Sequence, residues 1–218
     1  VIPPCRAKNI VLNLFKHVSI SPDSSIGHSY ISAKCIEIGS KARVKNMVRV
    51  KGVNQFVMKD NSFIGNRSSI FCGRDQLEAA NFTLGSDSEL VLDCLVELSE
   101  DIVVGNNVVF GGTGTQLWTH GFDNYRNKFV GNIIFGNNIY VGTSVTINPS
   151  VFVCSDVVIA PGAVVTGSID LPGFYGGVPA RLIREATNIS ELEGMEVRYT
   201  TAGLPEFYKT RDDSSNTI

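Results

Sequence analysis

This sequence has little charge and no excess of either sign. Only 18% of its 218 residues are charged, and 19 basic against 21 acidic residues leave a formal net charge of −2. No basic face calls for nucleic acid or an anionic membrane. No stretch approaches the ~20 apolar residues that cross a bilayer as a helix, which argues against membrane insertion. The five cysteines, Cys5, Cys35, Cys72, Cys94 and Cys154, form no CxxC pair, and an odd number is incompatible with a complete disulfide framework. Reduced thiols and a cytoplasmic setting fit that usage, with Cys94 and Cys154 read as small, buried structural residues. The sequence begins at Val1, and VIPPCRAKNIVLNLF has no signal-peptide layout.

The periodicities of ordinary elements are also missing: apolar residues recur neither at three and four, as in an amphipathic helix, nor at two, as in a half-buried strand. What recurs is a beat of six. Phe135, Val141, Ile147, Val153, Ile159 and Val165 carry it, with a second apolar beat at Ile139, Val145, Val151, Val157, Ala163 and Ile169. Fixed self-similarity at this interval reads as a hexapeptide-repeat parallel β-helix, an all-β solenoid. Ile20, Ile26, Ile38, Val44, Val50 and Phe56 keep the beat more loosely, Ile64 and Ile70 in a shifted phase that implies a local insertion, and Leu98, Val104 and Phe110 form a third set. One interrupted solenoid over 1–183 is expected, followed by a tail at 184–218 in which NISELEGMEV, with a cap at Asn188 or Ser190 and early acidic residues, suits a short helix.

Regular coils offer smooth faces, so functional groups are expected where the rhythm breaks. The largest late break, 111–132, holds Gly111, Gly112 and Gly114, the only Trp, the flat rings of Phe122 and Tyr125, and His120. A neutral imidazole there could take a proton from a hydroxyl or amine. His17 and His28 have no such surroundings, and the spacing of the three histidines does not suggest a metal site. Asp123 could orient His120, but nothing in the sequence brings the two together.

The stretch IIFGNNIYVGTSVTINPSVFVCSDVVIAPGAVVTG, followed by GGVPARLIRE, resembles the hexapeptide-repeat acetyltransferases, particularly their galactoside and maltose O-acetyltransferase branch. The resemblance is tight over roughly residues 93–185, and the N-terminal third shares only the rhythm. It implies a left-handed β-helix of three flat sheets, a homotrimer with active sites at subunit boundaries, and acetyl-CoA as co-substrate. It places His120, in WTHGFD, where the family has its general base. It also assigns Gly142, Thr143, Ala160, Thr166, Arg181 and Arg184 to the coenzyme, and Asp93 and Trp118 to the acceptor. A backbone N–H of Gly142 or Thr143 would serve the oxyanion, and the guanidinium forks of Arg181 and Arg184 would meet phosphate. Two departures stand out: Gly167 replaces the Lys of the galactoside enzymes, and Pro161 lacks an N–H near a pantetheine contact.

The expected function is acetyl-CoA-dependent O-acetylation of a sugar hydroxyl, in the setting of surface polysaccharide biosynthesis, with no metal. N-acetylation of an amino sugar or nucleotide-linked amino sugar is the nearest alternative. A noncatalytic trimeric scaffold is a third reading, which the His, Gly and aromatic content of the break disfavours. A γ-class carbonic anhydrase on the same architecture would require closely spaced His ligands.

Overall fold

A computed structural model describes residues 6–73, 79–186, 196–199 and 205–208. The hexads of the sequence are its flat segments. In Ile139–Val141 the outer two residues point inward and Tyr140 points out, and the same inward pair recurs at Val145 and Ile147, Val151 and Val153, Val157 and Ile159, and Ala163 and Val165, all at most 1% exposed. The two apolar beats are thus the two inward positions of one short segment, two residues apart as pleating requires. Between segments the chain must turn, and Asn138, Ser144, Ser150, Asp156 and Gly162 all adopt φ between 56° and 71°. This left-handed conformation suits Gly and is tolerated by Asn and Asp, so small and polar residues fill those places.

Three segments complete a coil, and every coil stacks in parallel on the next. Ile139 pairs with Val157 and Ile147 with Val165, a displacement of three hexads. The first face contains Glu89–Leu90, Val108–Phe110, Ile139–Val141 and Val157–Ile159. The second contains Ser69–Phe71, Leu95–Glu97, Gln116–Trp118, Thr146–Ile147 and Val164–Val165. The third contains Phe82–Leu84, Ile102–Val104, Ile133–Phe135 and Phe152–Val153. The fold is an all-β, left-handed parallel β-helix.

Inside it runs a single apolar column in which Phe56 stacks on Phe82 at 5.9 Å and Phe110 meets Phe135 edge-on at 5.1 Å. At the corner between the third and first faces, backbone N–H groups that strands would otherwise satisfy are taken by side chains of the next coil: Ser86 N donates to Asn106 Oδ1, Asn106 N to Asn137 Oδ1, and Asn137 N to Ser155 Oγ. The coils approach so closely there that a Cβ on Gly105 would lie 2.1 Å from Gly136 O, which is why glycine occupies that position.

Three expectations are refined. The phase shift arises within the long strand Arg49–Met58, where Met58, not Phe56, carries the beat on to Ile64 and Ile70, eight residues after Val50. The break at 111–132 is narrower than the sequence implied, because Gln116–Trp118 is a regular strand of the second face with Leu117 buried between Val96 and Ile147. The described helix is at the other end of the chain: Arg6–Leu12, whose Asn9 amide donates to Ser21 O and Ser24 O. Residues 188–195 of the expected C-terminal helix lie outside the described residues, while Glu196–Tyr199 and Pro205–Tyr208 pair antiparallel in a separate unit, 186–218. No helix among the described residues is long and apolar enough to cross a membrane.

Candidate active site

On the outer side of the second face, register places Lys51, Phe71, Glu97 and Trp118 in one vertical column on four successive coils. An outward position should expose its side chain, yet Glu97 is only 1% exposed. The chain that covers it leaves the second face after Trp118 and rejoins the coil at Ile133, the start of the next strand of the third face. Between them, His120–Phe122 and Lys128–Val130 form an antiparallel hairpin. Asp123 shapes the turn of that hairpin: Oδ1 accepts from the N–H groups of Tyr125 and Asn127 and Oδ2 from the Asn127 amide, all at 2.8 Å. These bonds, the Asn127 side chain foremost, hold the Asp123 carboxyl below its usual range. Asp123 therefore organises the hairpin, and the carboxylate that meets His120 is Glu97.

A buried carboxylate without partners would be costly, and Glu97 is well supplied. Ser99 Oγ donates to Oε1 at 2.8 Å. Thr119 Oγ1 lies 3.2 Å from Oε2 and 3.0 Å from Glu97 O, while accepting from the N–H groups of Ser99 and Glu100 at 2.6 and 3.0 Å. His120 Nδ1 is 2.7 Å from Glu97 Oε2 and 3.3 Å from Ser99 Oγ. Donation from Nδ1 to the carboxylate fixes the tautomer and leaves Nε2 with its lone pair. Nε2 makes no hydrogen bond among the described residues. The ring is held edge-on between Trp118, 6.0 Å away, and Phe122, 5.6 Å away, and Trp118 is itself fixed by donating from Nε1 to Gln116 Oε1 at 2.9 Å. His120 is thus oriented from three sides, with 22% of its side chain open to solvent.

Among the residues singled out from sequence, Trp118 and His120 come together here. Thr166 lies along the same edge, since the register Leu117–Ile147–Val165 carries Trp118 through Asn148 to Thr166 two coils higher. Asp93, Gly142, Thr143 and Ala160 instead line the opposite edge of the second face, at its corner with the first, so one chain separates them from His120 by the width of that face. Asp93 there is a turn residue, φ 49°, bound bidentately by Arg67 at 2.7 and 2.6 Å, which holds its carboxyl below the usual range. The Gly142 N–H donates to Ile159 O at 2.8 Å and is therefore spent within the ladder; Thr143 is the oxyanion candidate that remains. Arg181 and Arg184 project from Arg181–Glu185, which pairs antiparallel with Gly173–Gly176 at the end of the first face, and both are exposed. A Cβ at Gly167 would meet nothing within 4 Å.

Sequence reasoning missed Glu97, Ser99 and Thr119. The signal was a lone acid in LVELSE at an outward position of a covered strand, visible only once the register is known. Cys94 is 2% exposed, and burial pushes its thiol up to about 11, as suits an inert packing residue; Cys154 is half-buried. No group of three or more His, Cys, Asp or Glu that could hold a metal ion occurs among the described residues.

The chain is 31% identical over 142 residues to the galactoside O-acetyltransferase of Escherichia coli K12, an alignment covering 65% of this chain and 66%, just under two thirds, of that enzyme's length. Over that stretch, which spans just under two thirds of the relative's length, the chain is similar to a galactoside O-acetyltransferase. The same fold is found among solved structures. A hexapeptide-repeat acetyltransferase of Vibrio cholerae, solved with acetyl-CoA, superposes with a TM-score of 0.51 at 21% identity, over 61% of this chain and 72% of that one. An N-acyltransferase of Bacillus cereus, solved with coenzyme A and dTDP-4-amino-4,6-dideoxyglucose, superposes with a TM-score of 0.55 at 16% identity, over 88% of this chain and 96% of that one. At these identities the two structures bear on the fold alone. No family model matches the chain.

Proposed function

We propose that this protein moves the acetyl group of acetyl-CoA to a sugar hydroxyl, with Nε2 of His120 as general base. The observation that carries the reading is the pairing of His120 Nδ1 with the buried Glu97 carboxylate, which leaves the opposite nitrogen free beside an exposed aromatic surface. Nε2 would take the hydroxyl proton as the oxygen attacks the thioester carbonyl, and the imidazolium, stabilised by Glu97, would return that proton to the departing thiolate. Base assistance of this kind is worth roughly a hundred- to ten-thousand-fold. Trp118 and Phe122 offer flat faces to a pyranose. Thr166, Ala160, Arg181 and Arg184 would hold the coenzyme, the two guanidinium groups at its phosphates.

Asp93, Thr143 and Ala160 lie across the second face from His120, which suits a homotrimer in which one subunit's His120 edge faces the other edge of its neighbour. Surface polysaccharide biosynthesis in the cytoplasm is the wider setting of this reading. An amine would be deprotonated by the same Nε2, so an amino sugar is the second acceptor to test. Incubating the protein with acetyl-CoA and a panel of sugars and amino sugars, with thiol release as the readout, is expected to show acceptor-dependent release; its absence with every acceptor would remove the assignment.

Glu97 acts through His120. Glu97→Gln keeps the volume but puts an amide at Nδ1, where its N–H favours the tautomer protonated at Nε2. The expected result is a fall in kcat of roughly a hundredfold or more, with acceptor KM little changed. A variant that loses KM and keeps kcat would show Glu97 to be structural only.

A further inference from the structure

Two coils below Glu97 in the same outward column, a pocket of about 390 Å³ opens on the second face, lined by Arg49, Lys51, Ser69, Phe71, Cys72 and Gly73. Nothing in the proposed acetyl transfer uses it. Coils stack about 4.8 Å apart, so Lys51 lies roughly 10 Å from Glu97 along the face. The pocket lies close to the carboxylate that orients the base: a Cβ on Gly73 would come within 3.8 Å of Glu97 Oε1. Arg49 and Lys51 are alternate residues of one strand and so point to the same side. Both are exposed, and neither has an ion-pair partner among the described residues, whereas the cations Lys59 and Arg67 nearby are matched to Glu37 and Asp93. Burial pushes the Cys72 thiol up, and both the Glu97 carboxylate and, more weakly, Lys128 on the returning strand of the hairpin act on it electrostatically, so the pocket's upper side carries a charge of each sign and its cationic side is the lower one, at Arg49 and Lys51.

We infer that this pocket binds the phosphate or diphosphate of the acceptor, so that the sugar reaching His120 is a phosphate-bearing one. The inference rests on the acetyl-transfer reading above and deepens it. A neutral sugar gains nothing from two cations that no carboxylate among the described residues pairs with, whereas a diphosphate gains charge-assisted hydrogen bonds from both, with the Ser69 hydroxyl beside them. Phe71, between the cations and Glu97, supplies a flat surface for a ring. The direction of approach agrees. Thr166 lies two coils above Trp118 in this column, so a coenzyme held there comes down on His120 from the C-terminal coils and leaves the N-terminal coils to the acceptor. The coenzyme's own phosphates have a separate pair of cations in Arg181 and Arg184, beyond the last coil.

The test is calorimetric titration of the full chain with inorganic pyrophosphate, without acetyl-CoA. It compares the wild type with Arg49→Gln/Lys51→Gln and with Arg181→Gln/Arg184→Gln. At least a tenfold weaker binding in the first double variant is expected. Unchanged binding there, or a loss confined to the second double variant, overturns the inference. Transfer assays then compare a free sugar, its 1-phosphate and its nucleoside diphosphate form. Both phosphorylated forms should be preferred by wild type, and that preference should vanish in Arg49→Gln/Lys51→Gln. Phe71→Ala should weaken the nucleotide form more than the 1-phosphate if a base is recognised, and both alike if phosphate alone is. A free sugar used as efficiently as its phosphorylated forms sinks the inference and spares the acetyl-transfer reading. Pyrophosphate binding that behaves as expected, with no transfer to any acceptor, supports the phosphate pocket and sinks acetyl transfer.

Discussion

His120→Ala is expected to lower turnover at least a hundredfold while leaving folding and assembly intact. The magnitude follows from the role: removal of a positioned general base forfeits roughly two to four orders of magnitude, and the Glu97–His120 pair is the only ion pair between a histidine and a carboxylate among the described residues. The selectivity follows from position. His120 sits on a hairpin outside the coils and is not among the buried residues that form the core. Removing the imidazole does leave Glu97 without its Oε2 partner at 2.7 Å. Ser99 Oγ still donates to that carboxylate at 2.8 Å, and the Thr119 hydroxyl, shared with Glu97 O, stays within 3.2 Å of it, so the buried charge keeps a partner. Steady-state kinetics with thiol release, beside sedimentation of the same preparations, measures both halves of the expectation. Near-normal turnover in the variant removes His120 from the chemistry.

The coils were legible in the sequence because their cause is local. A segment that buries two residues and turns on a third repeats the same demand every six positions, so Val141, Ile147, Val153 and Ile159 announce the interior without any knowledge of what they touch. His120 was legible for the opposite reason, as a polar group amid glycines and aromatics where the demand lapses. Glu97 could not be found that way. Its burial depends on which residue of one coil lies over which residue of the next and on a hairpin that returns over both. The partner of His120 is therefore 23 positions earlier in the chain, a separation set by coil length and the break together. Asp123, three residues away, was the natural guess from proximity and is occupied in its own turn. The same reasoning explains the insertion within Arg49–Met58, which the sequence registers as a slip in phase but cannot place at a corner. The pocket at Arg49 and Lys51 is still less visible, since it assembles residues from two coils around a column that only register defines.

Phe110→Ala is expected to cost about 3–5 kcal/mol of stability, the range for removing a buried aromatic from a core that cannot collapse around the space left behind. Phe110 is fully buried and meets Phe135 edge-on at 5.1 Å, a geometry that adds about 0.5–1.5 kcal/mol beyond burial alone. The β-helix resists relaxation here more than a globular core would. Phe110 belongs to a strand clamped between Leu90 below and Val141 above, and the spacing of those coils is fixed by ladder hydrogen bonds and by close approaches such as that at Gly105. Moving one coil inward would break the bonds on both sides of it. Because each coil contacts only its neighbours, the loss should also fall on the interface between the N-terminal and C-terminal coils. Urea unfolding followed by circular dichroism should therefore show a lower midpoint and a broader transition, with the two halves beginning to separate. Phe135→Ala and the double variant complete a cycle, and because the two rings touch, the double variant should lose less than the sum of the singles. A loss below about 1 kcal/mol for Phe110→Ala, far under the expected range for such a site, would mean that the coils close over the cavity and that their spacing is set less rigidly than the ladders imply.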